Sequence, residues 1–330
     1  MATMIQLLGG FQISQALYVI AKLDVATVLT EGPSTVTALA GRVGADADCL
    51  RRLIRSLSPL GLFRRLDDDV VELAALGWTL SGTHPQSARH MAMYWMETHY
   101  RPFAELQYTV RDGEVAAERY LGKPFFDSIA ADPYLSDLQN RAMANSNRSH
   151  LFSSYRLPEG RVTADIGGAD GTVLTQLLAD DPERLGIVFD LPEIVSGAAK
   201  VLARAGQTDR IEVVAGDFFV SVPKADVYVL SVVLHDWDDR SCGRILRSIA
   251  DAAEPGARLV VIEMVVPPGD EPHDAKMFDL VMMAILNGRE RTAQEYTSLL
   301  TDSGFAVDRI VPSSSPFSFI EATLEGSGAT

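Results

Sequence analysis

Two short segments carry the side chains best suited to chemistry. The first, residues 165–171, is a glycine-rich turn whose small residues let the backbone approach a ligand closely. The second, residues 235–237, places the imidazole of His235 at the end of a long apolar run. Histidine is the side chain whose ordinary pKa suits proton transfer near neutral pH. Together the two segments predict an enzyme that holds a nucleotide-like cofactor and deprotonates a substrate beside it.

The second half of the chain must supply the strands that position these segments. Short β-rich runs alternate there with helical stretches, which predicts a doubly wound α/β sheet of mostly parallel strands. The predicted strands are residues 162–166, 185–189, 211–214, 227–233 and 259–265. Residues 305–311 and 317–324 follow with only a short turn between them, so we expect an antiparallel hairpin at one sheet edge.

Acidic residues stand where the predicted parallel strands end. Ligands bind at the carboxyl edge of such sheets, and Asp165, Asp190 and Asp217 all lie there. A carboxylate at Asp190 can accept hydrogen bonds from the ribose of either NAD or S-adenosylmethionine (SAM). Asp217 with the adjacent Phe218 can bind the edge of an adenine and cover its face. No Gly-Lys-Ser/Thr follows the turn, which argues against an NTPase phosphate loop.

The first half is predicted to be mainly helical. Helices are expected at residues 11–29, 36–43 (capped by Ser34) and 48–60, and a hairpin at 62–73 completes a winged-helix pattern. A longer helical stretch rich in Met and aromatic residues follows at 90–155. The Pro158-Glu159-Gly160 run predicts the domain boundary, with a helical domain at 1–157 and the α/β domain at 158–330.

Composition limits the partners and the compartment. The 44 acidic residues exceed the 29 Lys and Arg residues and give a net charge of −15, which argues against nucleic acid or an anionic membrane as the main partner. Two cysteines, far apart in sequence, suggest no disulfide framework and favour the cytoplasm. Because the first basic residue is Lys22, residues 1–21 are interpreted as a buried helix rather than a signal peptide.

With these motifs in view, the chain resembles SAM-dependent O-methyltransferases of the plant caffeic-acid type, whose bacterial relatives act in aromatic natural-product and antibiotic pathways. The family's Asp-x-Gly-Gly-Gly-x-Gly turn matches residues 165–171, with Ala169 for the third glycine. Its other motifs match Phe-Asp-Leu-Pro at 189–192, Gly-Asp-Phe-Phe at 216–219, His-Asp-Trp-Asp-Asp at 235–239 and Gly-Arg-Glu-Arg-Thr at 288–292. The resemblance covers nearly the whole chain and implies a Rossmann-like SAM-binding domain after an N-terminal winged-helix dimerisation domain.

The resemblance also implies roles for single residues. His235 would be the general base, and Glu263 and Glu290 would orient it. The residues implied for SAM binding are Asp165, Gly167, Asp190, Leu191, Asp217, Phe218 and Ser231. Those implied for the substrate pocket are Trp95, Met96, Gln139, Met143, Asp236, Met282 and Asn287. The implied assembly is a homodimer through intertwined N-terminal helices.

Three departures from the family pattern stand out. Ser231 lies where relatives often carry Lys or Arg, so cofactor contacts there are expected to be weaker or water-mediated. Gln139 stands where relatives often have Phe, which predicts a more polar substrate pocket. The segment before Glu290 is one residue shorter than in plant members, which leaves the position of Asn287 open.

The chemistry explains why these residue types are needed. A phenol has a pKa of about 10, so little of it is ionised at neutral pH, and a base that accepts its proton contributes about 10²–10⁴ in rate. SAM is already activated for methyl transfer, so no metal is required. The leading hypothesis is therefore methylation of a hydroxyl on an aromatic or polyketide-derived small molecule.

Alternative functions remain open at this point. The same fold can use SAM for C- or N-methylation, hydroxylation or decarboxylation. The winged helix, with Arg51, Arg52 and Arg55 on its second helix, suggests a ligand-sensing DNA-binding protein instead. An NAD-dependent oxidoreductase is disfavoured by the motifs around Asp190 and His235. Glu290, between two arginines, could also form only a surface ion pair.

Overall fold

The computed structural model describes residues 2–145 and 155–326. The chain divides into two compact units, Met1–Asn147 and Arg148–Thr330. Residues 146–154, which belong to the predicted helical stretch 90–155, lie outside the described part. The expected domain boundary at residue 158 therefore stays a prediction.

The first unit is mainly helical. Its helices are α1 Ala2–Leu8, α2 Gly10–Lys22, α3 Val25–Val28, α4 Val36–Val43, α5 Ala47–Leu57, α6 Ala75–Trp78, α7 Arg89–Tyr94, α8 Leu106–Asp112, α9 Ala116–Leu121, α10 Phe125–Ala130 and α11 Pro133–Asn145. A π-helical turn, Trp95–His99, continues α7. Three short strands, β1 Ser34–Thr35, β2 Phe63–Arg65 and β3 Val70–Leu73, form an antiparallel sheet in the order β1-β3-β2.

The structure contains the predicted helix–turn–helix–hairpin in this unit. Helix α4 is capped by Thr35, whose hydroxyl accepts from the Ala38 amide at 3.1 Å, rather than by the expected Ser34. Helix α5 is capped by Asp46 and ends at Leu57, because Pro59 belongs to a 3₁₀ turn that follows. Its apolar face, which includes Leu50 and Ile54, is buried in the core of the unit.

Two expectations for the N-terminus were wrong. The predicted helix 11–29 is broken at Asp24, which takes a left-handed conformation with φ of 59°. Residues 1–21 are not one buried helix, because α1 and α2 are separated at Gly9 and α1 leaves an apolar surface exposed. Leu7 and Leu8, for example, are 70% and 66% exposed in the single chain. An apolar surface of this kind typically marks an interaction site.

The second unit is the expected α/β sheet. Its strands are β4 Val162–Ile166, β5 Leu185–Asp190, β6 Ile211–Ala215, β7 Val227–Ser231, β8 Arg258–Val266, β9 Arg291–Thr292, β10 Phe305–Pro312 and β11 Phe317–Leu324. Its helices are α12 Thr172–Leu177, α13 Ala198–Ala205, α14 Asp239–Ala252, α15 Asp274–Ile285 and α16 Ala293–Thr301. The strand order is β10-β11-β8-β7-β4-β5-β6, and β9 pairs with β8.

The topology places the functional loops at one edge. Strands β4, β5, β6, β7 and β8 are parallel, whereas β10 and β11 are antiparallel, as predicted. The chain runs outward from β4 to β6 and then returns to β7 on the other side of β4. This reversal between β4 and β7 is the kind of switch point at which doubly wound sheets bind ligands.

Buried apolar residues make this sheet a firm support for those loops. All five residues of β7 are buried, and α14 covers the sheet through side chains at helical spacing, namely Cys242, Ile245, Leu246 and Ile249. The loops that leave the carboxyl ends of β4 and β7 therefore start from fixed points.

Within the described residues, no single helix has the length and apolar character to cross a bilayer. One bent pair, Gly10–Lys22 with Val25–Glu31, has that length and apolar character only when its two helices are counted together.

Candidate active site

The glycine turn after β4 is tied to the end of β5. The amides of Gly167 and Gly168 both donate to the Phe189 carbonyl, at 2.8 and 3.1 Å. Gly167 has a φ of +75°, and a Cβ at this position would lie 2.8 Å from the Val233 side chain. Only glycine fits such a close approach in the left-handed region. Asp165 is buried directly beneath Gly168, so it supports the turn from below.

Asp190 stands beside this turn at the end of β5. Its two carboxylate oxygens accept the amides of Ala169 at 3.0 Å and Leu191 at 2.7 Å. Burial raises the pKa of this carboxyl, and the two amides oppose the shift by stabilising the charged form. Each carboxylate oxygen can accept more than one hydrogen bond. The group is therefore fixed in direction and can still accept from two neighbouring hydroxyls.

An aromatic cluster lies beyond the end of β6. Asp217 accepts the Phe219 amide at 2.8 Å, which fixes the turn that carries Phe218. The rings of Phe218 and Phe219 meet edge to face, and both contact Trp237 in the same way. Phe218 is half-buried and Leu191 is exposed. An acid, a half-buried ring and an exposed aliphatic side chain suit an adenine ring.

The chain turns sharply where β7 ends. The predicted strand 227–233 stops at Ser231, which is buried, because Val232 takes the left-handed region with φ of 58°. That conformation is strained for a β-branched residue and persists only where its surroundings enforce it.

The side chain of Glu263 enforces this turn. Its Oε1 accepts hydrogen bonds from the backbone amides of Val233 and Leu234, both at 2.9 Å, and lies 3.4 Å from the backbone amide nitrogen of His235. Successive amides directed at one oxygen form an anion-binding nest. Glu263 is fully buried and lies inside β8. Its main contact is thus with the backbone that carries His235.

The imidazole of His235 is paired with Glu290. His235 Nδ1 lies 2.7 Å from Glu290 Oε1, and Oε2 of Glu263 lies farther away at 3.9 Å. His235 Nε2 lies 3.4 Å from Oδ1 of Asp236. A carboxylate on Nδ1 favours the tautomer that carries its hydrogen there, which leaves Nε2 to accept a proton.

Charge near the ring sets its affinity for protons. Burial disfavours the imidazolium, but the carboxylates of Glu263, Asp236 and Glu290 outweigh burial and raise the pKa of His235 above its ordinary 6.5. Burial also raises the pKa of Glu263 to about 7, although the His235 ring opposes that shift. The pair His235–Glu290 is thus a strong proton acceptor supported by a second buried acid.

Glu290 does not form the surface ion pair that was one of the two sequence-based interpretations of this residue. It is 3% exposed, and its amide donates to Asp279 on α15 at 2.9 Å. The surface pair is made instead by Arg289 with Glu295, at 2.6 Å. Strand β9, which starts at Arg291, pairs in parallel with Val265 and Val266 of β8 and so brings Glu290 to the histidine.

His235, Glu263 and Glu290 each have a potential metal-ligand atom, and these atoms lie within 4.8 Å of one another, a spacing that could hold a metal ion. The facing atoms of His235 and Glu290 already bond each other, however, and Glu263 Oε1 already holds the backbone amides. We therefore expect prior dialysis against a chelator to leave kcat unchanged when turnover is measured with and without added Mg²⁺ or Zn²⁺. Loss of activity that either ion restores would contradict this.

The residues expected at the substrate pocket are divided between the two units. In the first unit, Trp95 and Met96 begin the π-helical turn, and Met96 lines a cavity of about 560 Å³ together with Tyr18, Tyr100 and Phe125. Gln139 is half-buried and Met143 is exposed, both on α11, which packs against α7.

In the second unit, Met282 is buried on α15, and Asn287 is exposed and donates to Asp238 at 3.3 Å. Asp236 is the member of the expected substrate set that lies against the His235 ring. Assignment of the whole set to a substrate pocket stays a prediction.

Comparison with known proteins decides the family. Residues 103–306 match the family model of the O-methyltransferase domain, and residues 5–82 match that of the O-methyltransferase dimerisation domain. The chain belongs to this O-methyltransferase family. The predicted SAM-dependent O-methyltransferase, its Rossmann-like fold and its N-terminal dimerisation domain are thereby confirmed. The match at residues 5–82 also supports a homodimer, and it includes most of the exposed apolar helix α1.

Similar proteins cover nearly the whole chain. Phenazine O-methyltransferase PhzM of Lysobacter antibioticus is 36% identical over 97% of this chain and 95% of its own length. Mitomycin biosynthesis 6-O-methyltransferase of Streptomyces lavendulae is 35% identical over 94% and 90%. The structure of human N-acetylserotonin methyltransferase in complex with SAM superimposes with a TM-score of 0.90 at 26% identity, covering 98% of this chain and 97% of that one.

Proposed function

We propose that this O-methyltransferase moves a methyl group from SAM to the phenolic hydroxyl of an aromatic or polyketide-derived small molecule, with His235 as the general base. The observation that carries the proposal is the buried pair of His235 Nδ1 and Glu290 Oε1 at 2.7 Å, at the ligand-binding edge of the sheet. The relatives named for phenazine and mitomycin biosynthesis support an aromatic acceptor of natural-product type.

The residues at the ends of β4, β5 and β6 fit SAM. Gly167 leaves room for close approach, and Asp190 is directed by two amides and has lone pairs for the ribose hydroxyls. Leu191, Asp217 and Phe218 offer an apolar contact, an acceptor and a ring to the adenine. When bound, SAM supplies an activated methyl group on a positively charged sulfur. Ser231, at the end of β7, is proposed to contact the cofactor from the other side of the switch point.

His235 then has a defined task. With Nδ1–H directed at Glu290, the lone pair of Nε2 accepts the proton of the acceptor hydroxyl as its oxygen becomes a nucleophile. Glu290 stabilises the imidazolium that results, and Glu263 holds the backbone in place so that the ring does not shift. Asp236, which is 3.4 Å from Nε2, is proposed to contact the acceptor at the same point.

The structure also supports proposals on the assembly, the location and the partners of the protein. We propose that α1 of one copy packs on a second copy, since Leu7 and Leu8 are exposed in the single chain. We propose the cytoplasm as the location, because Cys49 and Cys242 form no disulfide and suit a reducing compartment. DNA is not a proposed partner, because Arg51 on α5 is paired with Asp69 at 2.7 Å.

Activity should depend on pH through His235. The base must be neutral to accept a proton, and its pKa is raised above 6.5, so kcat/KM should be low in acid and rise through a pKa above 6.5. Glu290→Gln removes one of the carboxylates that raise this pKa, so the rising limb should move to lower pH while the plateau falls. The pH profile is measured with two acceptors whose phenols differ in pKa. A limb that belongs to His235 stays in place between them, whereas a limb that belongs to the acceptor moves with its pKa. A limb that Glu290→Gln leaves in place would contradict the assignment.

Calorimetric titration with SAM, its demethylated product and NAD tests the cofactor directly. We expect heat of binding for SAM and its product and none for NAD. Purified protein with bound SAM is then offered hydroxylated phenazines and quinones, with detection of one added methyl group. Protein that binds neither SAM nor its product would contradict the proposal.

A further inference from the structure

Arg291 is a buried cation whose guanidinium contacts the backbone of the catalytic loop. It is only 1% exposed, and it is the largest of the fully buried side chains in the described part of the chain. Its Nη1 donates to the Leu234 carbonyl and its Nη2 to the Trp237 carbonyl, both at 2.9 Å. These two carbonyls stand immediately before and after the His235–Asp236 pair.

The same group also reaches the segment that carries Glu290. Nη1 of Arg291 lies 3.4 Å from the Arg289 carbonyl. The charge is balanced by Asp239 at the start of α14, which accepts from Nε at 2.9 Å and from Nη2 at 2.7 Å. One planar group thus holds two chain segments and a helix start. Lysine could not reproduce this, because an ammonium is a point charge without the fixed fork of donors.

The two segments touch along their backbones. A Cβ on Gly288 would lie 1.9 Å from the His235 carbonyl oxygen and 2.6 Å from the Asp236 carbonyl carbon, so only glycine allows this approach. The Arg289 amide donates to the His235 carbonyl at 2.9 Å. The position of Glu290 relative to the histidine ring is therefore set by backbone contact and not by the two side chains alone.

We propose that Arg291 is a positioning residue for proton transfer, which holds the backbone on both sides of His235 against the segment that carries Glu290. The inference rests on the proposed function, in which His235 accepts the proton. Arg291 touches neither ring nor carboxylate of that pair, so it acts through the distance of 2.7 Å between Nδ1 and Oε1. A displacement of about 1 Å between reacting groups can cost about 10² in rate.

The test compares Arg291→Lys and Arg291→Gln with Arg247→Lys and Arg247→Gln. Arg247 is an exposed arginine on α14 and serves as the matched control. We expect both Arg291 variants to lose about 10- to 100-fold in kcat. KM for the acceptor and the SAM dissociation constant should stay within about twofold, because the cofactor residues lie elsewhere.

The pH profile supplies a readout that a loss of folded protein would not change. The groups that face the imidazole are Glu263 from β8, Asp236 from its own loop and Glu290. With Glu290 less firmly held, the rising limb of kcat/KM should move to lower pH in Arg291→Lys, which keeps the positive charge, and stay in place in Arg247→Lys. Should both Arg291 variants be unstable, Asp239→Asn removes the exposed counter-ion and should give the same two changes in milder form.

The possible outcomes distinguish failure of the positioning role of Arg291 from failure of the proposed role of His235 as general base. Wild-type kcat and pH profile in Arg291→Lys and Arg291→Gln would overturn the positioning role, and so would a fall in kcat with an unmoved pH limb. His235→Ala is measured in parallel. If it retains wild-type kcat, the proposed base is wrong; if it is inactive and the Arg291 variants keep the wild-type kcat and pH profile, only the positioning role fails.

Discussion

His235→Ala should lower kcat by about 10²–10⁴-fold while SAM binds with nearly unchanged affinity. The ring is proposed to act on the acceptor hydroxyl, and the residues proposed for the cofactor stand at the ends of other strands. Its loss removes the proton acceptor but leaves the turn after β7 intact, since that turn is held by the Glu263 carboxylate through backbone amides. Steady-state methyl transfer and calorimetric SAM titration measure the two quantities separately.

Two controls sharpen this result. Added imidazole should restore part of the activity of His235→Ala, because a small base can enter the space that the ring leaves. Glu290→Gln keeps a hydrogen-bond acceptor for Nδ1 without the charge, and it should lie between wild type and His235→Ala. A variant His235→Ala that loses SAM binding instead of turnover would show that the histidine serves the cofactor.

Asp190→Ala should have the opposite signature, with SAM affinity reduced at least about tenfold. Hydrogen bonds to a charged group are worth about 1.5–3 kcal/mol each, and about 1.4 kcal/mol corresponds to a factor of ten. The substitution removes the acceptor proposed for the ribose and also releases the amides of Ala169 and Leu191, which loosens the glycine turn. Titration calorimetry gives the dissociation constant directly.

Glu193→Ala is the matched control for that experiment. Glu193 is an exposed acid three positions along the chain, so its removal changes the net charge equally without touching the turn. Its SAM affinity should stay near wild type. Equal affinity in Asp190→Ala and wild type would rule out the ribose assignment.

Local sequence signals were sufficient for most of the sheet. Runs of β-branched and apolar residues bounded by turn residues predicted strands 162–166 and 317–324 with the bounds that the structure shows. The strand predicted at 227–233 was two residues too long for a reason that is not local. Glu263, far along the chain, draws the amides after Ser231 out of the sheet, and an apolar run contains no sign of that.

The site shows the same division. The positions of Asp165, Asp190 and Asp217 at or near the carboxyl ends of strands could be predicted, because parallel strands bring these ends to one edge. The burial of Glu290 could not, since it depends on the pairing of β9 with β8 and on the backbone contact at Gly288. For the same reason the sequence showed Arg291 only as one of the two arginines beside Glu290, and not as a buried side chain. Likewise, the apolar helix α1 looked like core, although its own unit leaves Leu7 and Leu8 exposed.

The measurement that tests the central claim most directly is to locate the transferred methyl group. The protein is incubated with SAM carrying a ¹³C-methyl group and with hydroxylated aromatic acceptors, and the product is characterised by NMR. We predict a labelled methyl on a phenolic oxygen, formed by wild type and nearly absent with His235→Ala. A label on nitrogen or carbon, or equal transfer by the two proteins, would contradict the account.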